Sequence, residues 1–236
     1  FSTFHLCLSS NHETENFLKE LGAKNVFYTG NIKFIGDLSH EKIENINDKT
    51  LQNIRFWFAA STHEGEEIFC LKTHKILKEK FGKIITIIAP RHIERVNKIQ
   101  KLCTSQGFSN QIINKGDLIL ENKEIIIINS FGVLASYFKY AKSVFIGKSV
   151  LKKLDKDGGQ NPIEAAKLGC KIYHGPYVYN FKDVYKTLNK NNISFEIDDF
   201  KKLAEYLEKD LDYKNKNPKI FTELMSKLGE KTLKSN

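Results

Sequence analysis

Short runs of apolar residues alternate with helix-like patterns along almost the whole chain. The runs consist of Ile, Val and Phe without regular polar interruptions, as in KIITIIAP (83–90) and EIIIINS (124–130). Uninterrupted apolar strands are typical of parallel sheets that are covered on both faces. Because strands and helices alternate regularly, the sequence predicts an α/β fold with a doubly wound, Rossmann-like parallel sheet.

The same patterns predict the order of the elements. Strands are expected at 4–9, 25–31, 55–61, 83–90, 124–130, 143–149, 170–175 and 193–197. Helices are expected at 11–22, 64–80, after Arg91, at 132–140, after Pro162 and near 180–190, and two more close the chain.

A polar segment, GDLSHEKIENINDKT (36–50), breaks this rhythm. We place a domain boundary there, with residues 1–37 as the end of one domain and residues 38–236 as a second domain. The first part holds only a β-α-β unit, which is too small to be a domain, and the chain begins at Phe1 rather than Met. We therefore expect a piece of a longer protein, whose preceding domain is absent.

In open parallel sheets, ligands bind beyond the carboxyl ends of the strands. Six loops at those positions are rich in Gly, Ser, Asn and His residues. They are STHEGEE (61–67), PRH (90–92), NSFG (129–132), GKS (147–149), GGQNP (158–162) and HGPYVYN (174–180).

The stretch GGQNPIEAAKLG (158–169) has the pattern of a helix start. Asn161 is a good N-cap, Pro162 suits the first helical position, and Glu164 can complete a capping box. The two leading glycines clear side chains from the helix N-terminus, where bare N–H groups and the helix dipole favour an anion. A simple well-capped helix and a phosphate site both remain open on this stretch alone.

The loop 61–67 excludes a zinc-protease motif, because the residue four positions after His63 is Glu67 and not a second histidine. It is either a helix start capped by Ser61 or Thr62, or a loop that contacts substrate.

Arg91 follows the predicted strand 83–90 directly. Its guanidinium can donate two N–H groups to a phosphate or carboxylate, and the alternative is a surface ion pair with Glu94. His92 is an acid–base candidate or an ordinary hydrogen-bonding residue. In NSFG, Ser130 can cap the next helix and Gly132 permits close approach of a ligand.

The net charge of +9 points to an anionic partner. Lysines are spread along every segment, however, which favours a solvated basic surface over a nucleic-acid patch. The four cysteines lie far apart and form no CxxC pair, so neither a zinc site nor a disulfide framework is indicated. No apolar run approaches the roughly 18–20 residues that span a bilayer.

Taken in order, these loops resemble a known family. FWFAASTHEGEE, APRHIERV, NSFGVLASYFKYAKSVFIGKS, GGQNPIEAAKLG and GPYVYNFKDV are similar to the carboxyl-terminal half of the 3-deoxy-D-manno-octulosonic acid (Kdo) transferases, and residues 8–34 are similar to the end of their amino-terminal domain. The resemblance implies a GT-B glycosyltransferase, with two Rossmann-like domains and neither metal nor other cofactor.

In that family, the carboxyl-terminal domain binds CMP-Kdo, and the amino-terminal domain binds the lipid A precursor and supplies a carboxylate base. The resemblance implies that the base lies upstream of Phe1, so this chain alone is expected to be inactive. It also implies that the enzyme acts at the cytoplasmic face of the bacterial inner membrane, with peripheral membrane contact. No nucleic-acid partner is expected, and this piece itself is expected to be soluble.

The resemblance further implies a set of donor-binding residues. Arg91 would contact the donor phosphate or carboxylate, the loop at Ser130 would line the CMP site, and Glu164 would bind a ribose hydroxyl. The full set is Ser61, Thr62, His63, Arg91, His92, Ser130, Phe131, Gly132, Gly158, Gly159, Gln160, Asn161 and Glu164.

The chain departs from the family pattern in several places. Gln160 stands where His is usual, Val133 where Glu is usual and Lys148 where Gly is usual, and residues 151–157 form a longer basic loop. Three alternatives stay open: another GT-B enzyme such as an epimerase or UDP-sugar transferase, a non-catalytic nucleotide-binding domain, and a nucleic-acid binder. The last lacks a recognisable binding motif.

Overall fold

The computed structural model describes residues 1–29 and 43–212. Residues 1–29 form a small β-α-β unit in which strands β1 (Cys7–Ser9) and β2 (Val26–Tyr28) pair in parallel. Helix α1 (His12–Glu20) lies between them, and the Asn11 side chain caps it by accepting from the Thr14 N–H. The predicted boundary at 37/38 lies outside the described residues and stays a prediction.

Residues 43–212 form a seven-stranded sheet in which every neighbouring pair is parallel. The strands lie in the order β5-β6-β4-β3-β7-β8-β9. Their bounds are β3 (Phe56–Thr62), β4 (Ile85–Pro90), β5 (Asn110–Ile113), β6 (Ile125–Ile128), β7 (Ser143–Ile146), β8 (Lys171–His174) and β9 (Ser194–Glu196). The predicted parallel α/β sheet is confirmed.

Helices cover both faces of this sheet. They are α2 (Asp48–Asn53), α3 (Glu66–Phe81), α4 (Val96–Ser105), α5 (Leu134–Phe138), α6 (Ile163–Lys167), α7 (Lys182–Lys190) and α8 (Phe200–Asp212). No helix in the described part of the chain is both long and apolar enough to cross a membrane.

Neighbouring residues of each strand point into two different cores. Phe58 and Ile87 pack beneath α5, α6 and α7, whereas Trp57 and Ile88 pack beneath α3, α4 and α8. Full burial of one such side chain contributes roughly 1.5–3 kcal/mol. The unbroken apolar runs in the sequence therefore reflect a sheet that is buried on both sides.

Two elements lie outside the predicted set. Strand β5 begins with the polar pair Asn110–Gln111 and pairs on one side only, with β6, so its residues are mostly half-buried. Helix α2 lies within the polar segment at the predicted boundary. Other bounds shift by up to three residues, and the second closing helix falls outside the described residues.

The strand order reverses between β3 and β7. From β3 the chain moves towards the β5 edge, and from β7 it moves towards the β9 edge. The loops that follow β3 and β7 consequently diverge and open a crevice at the carboxyl edge of the sheet, where ligands bind in this class of fold.

One buried histidine joins α3 to the sheet. The His74 ring is fully buried, and its Nδ1 lies 2.8 Å from the Thr86 hydroxyl on β4. Burial lowers the pKa of His74 to about 4, although the Glu124 carboxylate, 3.8 Å from Nε2, acts in the opposite direction.

We predict that His74 makes the fold sensitive to acid. Because its folded pKa lies below the ordinary 6.5, the unfolded chain binds the proton first, and stability falls as the pH drops from 7 to 4. The shift corresponds to about 3 kcal/mol. Urea denaturation across this range should show that His74→Gln loses the corresponding part of the pH dependence.

The control is His5→Gln, which changes an exposed histidine in the small unit. This role of His74 is contradicted if both variants keep the pH dependence of the parent chain.

Candidate functional site

The carboxylate of Glu66, the first residue of α3, bridges the crevice. It is fully buried and accepts from four backbone N–H groups, those of His63 (2.9 Å), Lys148 (2.7 Å), Ser149 (2.8 Å) and Val150 (3.2 Å). Burial raises the pKa of Glu66, while the four hydrogen bonds to its charged form oppose that rise. One side chain thus holds the loop after β3 against the loop after β7.

The two loops that the Glu66 carboxylate joins pack very closely against each other. β3 ends in a bulge at Ser61, whose φ is 57°, and the Ser61 carbonyl points at Gly147. A Cβ on Gly147 would lie 2.6 Å from that carbonyl oxygen and 2.7 Å from Glu66 Oε2. Only glycine therefore fits at residue 147.

The predicted capping by Ser61 or Thr62 is wrong. Ser61 and Thr62 still belong to β3, and the N-cap of α3 is Gly65 in a left-handed conformation. The Thr62 hydroxyl is buried and donates to Glu67 Oε1 at 2.9 Å, and the Arg95 guanidinium donates to Glu67 Oε2 at 2.8 Å. Thr62 therefore shapes the loop, and its hydroxyl does not face the crevice.

The ends of β3 and β4 bring Arg91, His92 and His63 together. The Arg91 N–H donates to the Thr62 carbonyl at 3.0 Å, and the His63 and His92 rings meet edge-on with centroids 5.7 Å apart. Burial lowers the pKa of His63, and the nearby charge of Lys148 lowers it further. The hydrogen bond between the ring and the Ser61 carbonyl acts in the opposite direction.

The Arg91 side chain is exposed and forms no ion pair with any described residue. The alternative pair with Glu94 is wrong, because Glu94 instead lies 3.5 Å from His92 Nδ1. The guanidinium of Arg91 is therefore available to an anion at the carboxyl end of β4.

The loop after β6 is open to solvent. Phe131 is 65% exposed, and Gly132 has a φ of 73°, where a Cβ would meet no described atom within 4 Å. Ser130 does not cap α5 as predicted, because its hydroxyl donates to the Asn129 carbonyl and the cap residue is Val133. A cavity of about 210 Å³ adjoins this loop, and Ser130 and Val133 help to line it.

The helix start at Asn161 is confirmed in part. The Asn161 side chain accepts from the Ile163 N–H at 3.1 Å, and α6 begins at Ile163, one residue later than predicted. The capping box is wrong, because the Glu164 side chain forms no hydrogen bond within the described residues. Its carboxylate is half-buried, and burial raises its pKa.

The N–H groups of the two glycines before α6 are both bonded to carbonyl groups, so any bare N–H groups at this helix start belong to the residues that follow. The Gly158 N–H donates to the Leu154 carbonyl at 2.7 Å, and the Gly159 N–H donates to the Lys148 carbonyl at 2.6 Å. A Cβ on Gly158 would lie 2.2 Å from the Tyr177 carbonyl oxygen. These glycines are required by packing, and the N–H groups of Gln160 and Asn161 are the ones without an acceptor among the described residues.

The backbone conformation of Lys148 is one that glycine adopts more easily, which explains why glycine suits this position. Its φ is 59°, the left-handed conformation that costs a residue with a Cβ about 1–2 kcal/mol. Its ammonium lies 3.2 Å from Asp157 Oδ2, which ties the loop after β7 to residues 151–157.

One crevice thus lies at the carboxyl end of the sheet. It is lined by residues from the ends of β3, β4, β6 and β7 and from the start of α6. Basic groups dominate there: Arg91, Lys148 and Arg95 stand beside His63 and His92. Sequence reasoning missed Glu66 and Arg95, whose partners lie far along the chain. In the described part of the chain, no group of three or more His, Cys, Asp or Glu side chains is placed to hold a metal ion.

A parallel sheet with a basic crevice at its switch point is the arrangement of a Rossmann-like domain, the unit of which GT-B glycosyltransferases contain two. The solved C-terminal CMP-Kdo binding domain of WaaA from Acinetobacter baumannii has this fold, with a TM-score of 0.63 and 22% identity, covering 78% of this chain and 91% of that domain.

The chain belongs to the 3-deoxy-D-manno-octulosonic acid transferase family, which confirms the resemblance of its motifs. It is 31% identical to the Haemophilus influenzae enzyme over 163 residues and 30% identical to the Rickettsia bellii enzyme over 211 residues, which is 68% and 88% of this chain. It spans only 37% and 49% of those two proteins. No family model matches the chain.

We predict that Glu66→Gln destabilises the chain by about 3 kcal/mol, because an amide nitrogen replaces an acceptor and leaves buried N–H groups unsatisfied. Urea denaturation at pH 7 measures this. The matched control is Glu64→Gln, which removes an exposed charge paired with Lys98 and should change stability little. Equal effects of the two substitutions would contradict the bridging role of Glu66.

Proposed function

We propose that this chain is the donor-binding part of an enzyme that transfers Kdo from CMP-Kdo to the lipid A precursor. Because the chain spans about half the length of its relatives, the acceptor site and the catalytic base would lie in the remainder of the full-length protein. That remainder would also provide peripheral contact with the cytoplasmic face of the bacterial inner membrane. A step in lipopolysaccharide biosynthesis follows from this activity.

The guanidinium of Arg91 at the carboxyl end of β4, which forms no ion pair within the described residues, carries the proposal. When Kdo leaves CMP, negative charge grows on the phosphate, and donors that are already in place stabilise it. A guanidinium can donate two parallel N–H groups to such a phosphate or to the Kdo carboxylate. Lys148 adds positive charge to the surrounding edge, and no carboxylate among the described residues competes for Arg91.

The other side of the crevice would hold the nucleoside. The half-buried Glu164 carboxylate has no protein partner among the described residues, so it can accept from ribose hydroxyls. The loop at Ser130 and Gly132 would line the CMP site, with the exposed Phe131 ring beside it. The N–H groups of Gln160 and Asn161 are further donors at this end.

No residue of this chain is assigned as the catalytic base. His92 is exposed and pairs with Glu94, and His63 is fixed by contacts with the Ser61 carbonyl and the His92 ring. Both histidines are instead proposed to border the donor.

We predict that CMP stabilises the chain more than UMP or UDP at equal concentration. A ligand that binds only the folded state raises stability by RT ln(1 + [L]/Kd), so even a millimolar site gives a thermal shift at high nucleotide concentration. Arg91→Ala should weaken CMP binding roughly tenfold, because a charge-assisted hydrogen bond is lost. Glu164→Ala should weaken CMP and cytidine alike.

Matched controls are Arg55→Ala, at the amino end of β3, and Glu121→Ala, on the exposed turn before β6. Both should bind CMP like the parent chain. A preference for UDP would favour another GT-B nucleotide-sugar enzyme. Absence of any nucleotide binding by the chain would contradict the proposed donor site. A full-length protein that binds CMP yet transfers no Kdo would instead indicate a non-catalytic binding domain.

A further inference from the structure

Lys148 is held in its left-handed conformation from both sides. Its N–H donates to Glu66 Oε2 at 2.7 Å, and its carbonyl accepts from the Gly159 N–H at 2.6 Å. Neither bond depends on the lysine side chain, since any residue has the same backbone groups. The backbone therefore fixes where the side chain leaves the chain, at the centre of the crevice and between two ligand-lining loops.

The carboxylates near Lys148 form at most a weak ion pair with its ammonium. Glu66 is saturated by four backbone N–H groups, and Glu67 pairs with Arg95. The ammonium pairs with Asp157 at 3.2 Å, and the Asp157 side chain is 66% exposed. An ion pair with such an exposed partner contributes little, so an incoming anion can replace it at small cost.

The position of Asp157 is itself fixed by the segment before α6. A 3-10 helix at Lys152–Leu154 buries Leu154, the Leu154 carbonyl accepts from Gly158, and Asn180 Nδ2 donates to the Asp157 carbonyl at 2.6 Å. These contacts hold Asp157 where its carboxylate pairs with the Lys148 ammonium.

We propose that Lys148 is an anion-binding residue of the crevice, whose ammonium passes from Asp157 to the phosphate or carboxylate of a bound nucleotide sugar. The inference rests on the proposed donor site and adds a specificity residue to it. The side chain is only 19% exposed, and its charge helps to lower the pKa of the His63 ring. The same lysine thus links residues 151–157 to ligand binding.

The decisive variant is Lys148→Gly, which removes the ammonium and relieves the left-handed strain together. We expect its Tm to be no lower than that of the parent chain. Calorimetric titration should nevertheless show CMP binding weakened roughly tenfold, while the affinity for cytidine, which has no phosphate, stays unchanged. If the role of Lys148 were purely structural, its replacement by glycine would lower Tm. The ratio of the affinities for CMP and cytidine would then stay the same.

Two further variants sharpen the test. Asp157→Asn removes the competing carboxylate and should strengthen CMP binding severalfold. Lys156→Gly removes an exposed lysine from the same segment, at equal change in net charge, and should leave CMP binding unchanged. Free Kdo as a second probe separates the sources of the anion, because it offers a carboxylate and no phosphate.

Weaker binding of CMP alone assigns the contact to the phosphate, and weaker binding of Kdo alone assigns it to the carboxylate. Lys148→Gly with unchanged affinity for both probes overturns the role of Lys148, and if Arg91→Ala still loses CMP affinity, the donor site itself stands. A parent chain that binds neither probe overturns the donor site and the role of Lys148 together.

Discussion

The Glu66 carboxylate is the constraint on which the crevice depends. Four N–H groups from two loops converge on it, and those loops follow strands on either side of the point where the sheet order reverses. The same connection continues through the Lys148 carbonyl to Gly159 and so reaches the start of α6. A buried carboxylate with four backbone donors resists displacement, so the loops at this end of the sheet are held in fixed positions.

Most of the sheet could be predicted from the sequence, because a strand buried on both faces has to be apolar at every position. β6, with four consecutive isoleucines, is the plainest case. The edge strand β5 escaped prediction, since pairing on one side leaves Asn110 and Gln111 half-buried and polar residues are tolerated there. Helix α2 was not predicted either, because it is mostly polar and Leu51 is its one buried residue.

The candidate site could be predicted as a set of loops but not in its internal contacts. The position of Arg91 follows from its place directly after the predicted strand 83–90. Glu66 and Arg95, by contrast, bond to residues that lie 82 and 28 positions away along the chain. The glycines before α6 look like ligand-binding residues in the sequence, yet Gly158 packs against Tyr177 and Gly159 against Val178. Lys148 stands out as an unusual residue, and only its φ explains what glycine would do there.

The central claim is that an anionic nucleotide binds at the carboxyl edge of the sheet beside β3, β4 and β7. Amide chemical-shift mapping of the chain during titration with CMP tests it directly. We predict the largest shifts at residues 61–63, 91–92, 130–132, 147–149, 158–161 and 163–164. Shifts confined to the opposite edge, where a cavity of about 490 Å³ is lined by residues 51–56, would contradict it.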